Sequence, residues 1–152
     1  MNQPLGLEKF TDQALRIVGK TSRVAAEHLQ QKEVTPELIL AALLAEDSMA
    51  TQILRNLRCN PERLAKDLEN RLTRTSPPYV GARTVGPGMD VVITYSISEA
   101  AKLQHPYVGA EHVLLGLLHL TSGVVFDLFK KHGVYLQRAR TETVKQLKKG
   151  PP

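Results

Sequence analysis

Apolar residues in the first half of the chain recur at helical intervals. Leu15, Val18, Ser22, Ala25 and Leu29 follow one another at alternating three- and four-residue steps, with Thr11 placed to cap the start, and predict a long first helix with one buried face. Thr35-Pro36-Glu37 combines an N-cap residue, a proline at the first helical position, where its missing N–H costs nothing, and an acid in the first turn. Ile39, Leu40, Leu43 and Leu44 follow and predict a second helix. Ser48 caps a short third helix carrying Ile53, Leu54 and Leu57, and Asn60-Pro61-Glu62 opens a fourth with Leu64, Leu68 and Leu72. Four helices thus occupy residues 10–73.

The periodicity lapses over residues 74–88, where Pro77, Pro78, Gly81, Gly86, Pro87 and Gly88 mark a linker, and then returns. At an offset of about 74 residues, Ala26, Leu29, Gln30, Val34, Glu37, Leu40, Leu43, Leu44 and Ser48 meet Ala100, Leu103, Gln104, Val108, Glu111, Leu114, Leu117, Leu118 and Ser122. The second half therefore repeats the first. Met89, Val92, Ser96, Ala100 and Leu103 predict a long helix, Val113 to Leu118 and Val125 to Phe129 two more, and Gly133 a stop before a last helix from about Leu136 to Lys148. No alternation is long enough to build a sheet, so the expected architecture is all-α, two four-helix repeats packed together.

Composition narrows the class without changing this picture. A chain of 152 residues with 42% hydrophobic and 23% charged residues is one ordinary globular domain, which excludes a disordered or collagen-like chain. The absence of an apolar run of roughly 18 residues, and a start that lacks the basic-then-apolar layout of a signal peptide, predict a soluble cytoplasmic protein. The single cysteine, Cys59, cannot form an internal disulfide and reads as a small packing residue. The net charge of +5 raises an anionic partner, because Arg138, Arg140, Lys145, Lys148 and Lys149 gather on the last helix. With no Trp and 5% aromatics, however, a base-stacking groove lacks its platforms.

Three motifs bear on chemistry. Gly19-Lys20-Thr21 imitates the end of a phosphate-binding loop, but its upstream glycine is replaced by Ala14 and the segment lies inside a helix whose N–H groups are already used. His105, Glu111 and His112 group metal-ligand types at a spacing that fits no zinc-protease pattern, so His112 reads as a packing or hydrogen-bonding histidine and no metal is expected. Glu37 and Glu111 each sit in the first turn of the second helix of a repeat. Two readings stay open for them: complementing the helix dipole, worth roughly 0.3–1 kcal/mol, or presenting a carboxylate beside free N–H groups to a ligand that carries both guanidinium and phosphate.

Phe10-Thr11-Asp12, Val34-Thr35-Pro36-Glu37 through Ala41-Ala42-Leu43-Leu44, and the run from His105-Pro106-Tyr107-Val108 through Gly109-Ala110-Glu111-His112 to Leu117 resemble the N-terminal repeat domain of the Clp ATPases, the ClpB/ClpC class of ring-shaped protein unfoldases, over about residues 10–149. The resemblance implies two repeats in pseudo-twofold relation, at 10–73 and 89–149, joined by the linker 74–88 and flanked by tails at 1–9 and 150–152. It implies a recognition domain that is not itself an enzyme, uses no cofactor, and binds substrate proteins or adaptors for Clp ATPase or protease components. In the ClpC branch the glutamate of each repeat's second helix, with a threonine at the start of the first helix, forms a pocket for phosphorylated arginine. Carried over, this makes Thr11 with Glu37 one ligand-binding set and leaves Glu111 alone in the other. Gly86 stands where the second threonine belongs and Gly88 where a basic residue is usual, the first repeat carries one extra residue between Phe10 and Glu37, and Leu38 replaces the usual histidine. The two pockets are therefore expected to be unequal, with Glu37 dominant. No ATPase module follows Lys149, which leaves open an excised domain, as Gly150-Pro151-Pro152 would suit, or a free-standing relative. The rival expectation is a basic all-α nucleic-acid-binding protein that uses the C-terminal Arg/Lys helix, and a third is a small enzyme in the inter-repeat groove.

Overall fold

A computed structural model describes residues 6–148; the expectations placed on residues 1–5, on Lys149 and on the 150–152 tail lie outside the described residues. After a 3-10 turn at Leu7–Lys9, the first repeat comprises α1 (Asp12–Arg16), a π-helical turn (Ile17–Thr21), α2 (Ser22–His28), a short strand β1 (Glu33–Val34), α3 (Pro36–Leu44), α4 (Met49–Asn56) and α5 (Pro61–Thr75). A second short strand, β2 (Thr84–Val85), precedes α6 (Met89–Lys102), α7 (Ala110–Leu117), α8 (Gly123–Lys131) and α9 (Leu136–Lys148) of the second repeat. The fold is all-α, as the apolar periodicity requires.

The caps form where side chains can satisfy the orphan amides of a helix start. Thr11 Oγ1 accepts from the Ala14 amide at 3.1 Å, the Asn60 side chain accepts from Glu62 and Arg63, and Ser48 forms a reciprocal capping box with Thr51. Thr35 occupies the N-cap of α3 with extended backbone, yet its side chain makes no capping bond.

The first helix differs from expectation. It is continuous but contains the π turn, which closes over i→i+5 and so advances the buried face by a residue. Ala14, Ile17, Val18, Ser22, Ala26 and Leu29 point inward, whereas Leu15, assigned to the buried face, is 44% exposed. The buried Ser22 hydroxyl, at the start of α2, donates back to the Gly19 carbonyl of this turn.

The centre of the core is the pair α3 and α7. Leu38, Ile39, Leu40 and Leu43 of α3 and Val113, Leu114, Leu115 and Leu117 of α7 are all fully buried. Gly116 lets α6 lie directly on α7: a Cβ there would collide with Ser96 Oγ and approach the Val92 carbonyl to 2.8 Å. Cys59 is buried and packs in the core, and burial pushes its thiol up to about 11.

The lead-in segments cross between the repeats. β1 pairs in parallel with β2, Val34 opposite Val85, while Phe10 forms a parallel bridge with Val108. The strand before the second helix of each repeat is thus held by the segment before the first helix of the other. Part of the stretch read as linker is therefore ordered pairing, and α5 itself runs on to Thr75.

Candidate ligand-binding sites at the starts of α3 and α7

These crossed pairings decide which residues meet. The Thr11 amide donates to the Val108 carbonyl at 2.9 Å, and Val108 returns a bond to Lys9, so Thr11 sits against the segment that leads into Glu111. On the other side the Gly86 amide donates to the Val34 carbonyl at 2.8 Å. A Cβ on Gly86 would lie 2.8 Å from Thr35 Cγ2 and 2.9 Å from Glu33 Cβ. The expected set of Thr11 with Glu37 is thus not assembled: Thr11 stands at the start of α7 and Gly86 at the start of α3. The reason is the exchange of lead-ins, since the glutamate three positions after each paired residue, Val34 or Val108, is served by the opposite repeat.

Glu37 is half-buried and lies where two cavities adjoin. One, of about 430 Å³, is also lined by Lys32, Glu33, Thr75, Pro77 and Tyr79. The other, of about 250 Å³, is bounded by Pro87 and by Leu120, Ser122, Val124 and Val125 of the second repeat. Among the described residues no side chain pairs with the Glu37 carboxylate, and Lys32 Nζ sits 5.9 Å from the centre of the Tyr79 ring. A carboxylate free of partners, at the start of a helix, and a lysine therefore line one space.

Glu111 is 5% exposed and already engaged. The Tyr107 hydroxyl donates to Glu111 Oε2 at 3.1 Å, and burial together with the Glu111 charge raises that phenol to about 12. The carboxylate folds back over Gly109, into space that a Cβ there would fill. Beside it the Gly109 amide donates to His112 Nδ1 at 2.9 Å, which leaves the proton on Nε2, 2.8 Å from His105 Nδ1. Burial, with His105 adjacent, pushes His112 down to about 4, so it is a neutral, hydrogen-bonding core residue. His105 and His112 thus bond to each other, and among the described residues no group of three or more His, Cys, Asp or Glu side chains could hold a metal ion.

The structure also assembles a cluster that no sequence motif marks. Glu99, fully buried on α6, accepts Nε and Nη2 of Arg140 at 2.9 and 2.7 Å and Nε2 of His119 at 2.6 Å, and the Tyr95 ring stacks on His119 at 4.1 Å. Burial by itself pushes the Glu99 carboxyl up, but the bonds from Arg140 and His119 outweigh it and hold the group below the ordinary carboxylate range. The legible signal was a glutamate on an otherwise apolar helix face, between Ser96 and Ala100. Arg140, counted on sequence with the basic residues of the last helix, is bound internally instead.

Two repeats of four helices with crossed lead-ins, and cavities at the start of α3, define a small all-α repeat domain. The chain belongs to the family of Clp repeat (R) N-terminal domains, whose profile matches residues 9–91 and 86–152. It is 28% identical over 139 residues to the ClpC ATP-binding subunit of the ATP-dependent Clp protease of Staphylococcus saprophyticus, covering 91% of this chain and 17% of that protein. It therefore spans about a sixth of the length of such relatives. The N-terminal domain of Hsp104 from Candida albicans superposes with a TM-score of 0.73 at 20% identity, over 91% of each chain. That of the chaperone ClpD from Arabidopsis thaliana gives 0.71 at 17% identity, over 97% of this chain and 99% of the other. Among the described residues no helix is long and apolar enough to cross a membrane.

Proposed function

We propose that the chain is a substrate- and adaptor-binding module of a Clp-type unfolding or degradation system in the cytoplasm, and that it reads a phosphorylated arginine, or the guanidinium group alone, at Glu37. The observation that carries this reading is the unpartnered Glu37 carboxylate at the start of α3, open to two adjoining cavities. A guanidinium donates in a planar fork to a carboxylate, and Lys32 with the positive end of the α3 dipole offers the opposite charge to a phosphoryl group. Thr11 and Glu111 form the second, weaker site: the hydroxyl is present there, but the carboxylate is committed to Tyr107. The Thr11 hydroxyl and the open carboxylate are divided between the two sites, so Glu37 dominates because it is open and not because Thr11 assists it.

The test is a calorimetric titration of the wild type and of Glu37→Ala, Glu111→Ala and Thr11→Ala with phosphoarginine and with arginine. Loss of one charge-assisted bond of roughly 1.5–3 kcal/mol lowers affinity about tenfold or more in Glu37→Ala. Unchanged binding in the Glu37→Ala, Glu111→Ala double variant returns both residues to helix-end stabilisation.

A further inference from the structure

The two repeats fill corresponding space differently. Left-handed residues fix the correspondence: Gln104 follows Gln30 by 74 positions, and Gly133 follows Arg58 by 75, because one residue enters near the start of α8. Under this register Tyr95, Glu99, His119 and Arg140 correspond to Thr21, Ala25, Ala45 and Ala65. In the second repeat those four side chains form a strap that ties α6 to α9 across the end of α7. In the first repeat all four counterparts are small, and all four line an open groove of about 300 Å³.

The groove is apolar. Val24, Leu29, Ala41, Ala42, Leu44 and Leu68 complete most of its wall, the polar side chains are those of Thr21, His28 and Glu69, and Val24 at its edge is 52% exposed. It also neighbours the Glu37 cavity along two shared stretches of chain. Leu68 and Glu69 line the groove while Leu72 and Thr75, one to two turns further along α5, line the cavity, and just after α2 Leu29 lines the groove while Gln31, two residues on, lines the cavity. Four helical residues advance about 6 Å, within the span of a few residues of bound polypeptide.

We propose that the groove between α2 and α5 over α3 is an anchoring site for an aliphatic side chain of the partner polypeptide whose cationic group is read at Glu37. The proposal rests on that reading for the choice of partner. The groove's alanine and aliphatic lining favours an apolar occupant, with His28 and Glu69 exposed to solvent, whereas the second repeat fills the matching space with Arg140 paired to Glu99. The occupant is thus a segment with a leucine-like residue a few positions from an arginine.

The experiment uses short fluorescent peptides carrying one arginine and a leucine at varied spacing, each matched to a peptide with alanine in place of leucine. At the best spacing the leucine peptide binds wild type about tenfold tighter than its alanine match, the expected gain for burying that side chain. Transplanting the strap with Ala25→Glu, Ala45→His and Ala65→Arg abolishes the leucine preference and leaves arginine dependence intact. Ala45→Leu, which fills the groove without adding charge, does the same. Glu37→Ala gives the opposite result, loss of arginine dependence with the leucine preference retained, so the two readings fail separately. Equal binding of leucine and alanine peptides to wild type at every spacing overturns the proposal, as does a leucine preference that survives in either folded groove-filled variant.

Discussion

The amide of Thr11 is bonded to the carbonyl of Val108, 97 positions away in the chain, and this places the only threonine expected to serve a ligand beside Glu111 and not beside Glu37. Thr11→Ala therefore removes the cap of α1, at a cost of about 1 kcal/mol, and leaves binding at Glu37 unchanged. Chemical denaturation and ligand titration on the single variant check both halves. An affinity loss at Glu37 in Thr11→Ala would place the hydroxyl back in that pocket.

The two glutamates separate in a stability measurement. Glu37→Ala is expected to cost only a few tenths to about 1 kcal/mol, since the carboxylate does no more for the fold than complement a helix end. Glu111→Ala additionally strands the Tyr107 hydroxyl over a buried site and is expected to cost roughly 1–3 kcal/mol. Tyr107→Phe in the same background recovers part of that loss by removing the stranded group. Equal destabilisation by the two alanine variants would contradict the difference in burial.

Gly116 tests the seam between α6 and α7. Its Cβ would meet a backbone carbonyl that cannot rotate away, so Gly116→Ala forces the helices apart and costs roughly 1–3 kcal/mol. Reducing Ser96 to glycine relieves the side-chain contact but not the one to Val92. Thermal melts of the two variants together distinguish these contacts.

Stability should depend on pH through His112. Its folded value near 4 lies below the unfolded value near 6.5, so the unfolded chain binds more protons between them and stability is lost as pH falls through that window. The loss amounts to about 3 kcal/mol at most. Glu99 acts in the same direction at lower pH: its folded value is depressed, so its contribution is complete above the ordinary carboxylate range and fades as pH falls through the folded value. In His112→Gln the slope between about pH 6.5 and 4 should flatten, which melting temperature against pH will show.

Most of the local structure was legible in the sequence because its causes are local. Thr11, Ser48 and Asn60 cap helices through bonds spanning two or three residues, and Leu64, Leu68 and Leu72 repeat at the spacing of the face they bury. The all-α class and the internal repeat follow from such patterns. Leu15 shows where the pattern misled: the extra residue of a π turn shifts the face, and nothing in an apolar count distinguishes that turn from an α turn.

Glu37 and Glu111 were visible as acids in corresponding first turns and were expected to be unequal, but on the ground that Thr11 joins Glu37. Their difference comes from partners distant in the chain. Crossed pairing of the lead-ins carries Thr11 to one site and Gly86 to the other, the second repeat's Leu120 to Val125 segment forms the far wall at Glu37, and Tyr107 closes over Glu111. The sequence by itself determined the helices, their caps and the doubled unit, since each depends on residues a few positions apart. Only the tertiary structure decided which carboxylate stays open and which half-repeat keeps a groove, because a free surface is defined by what fails to pack against it.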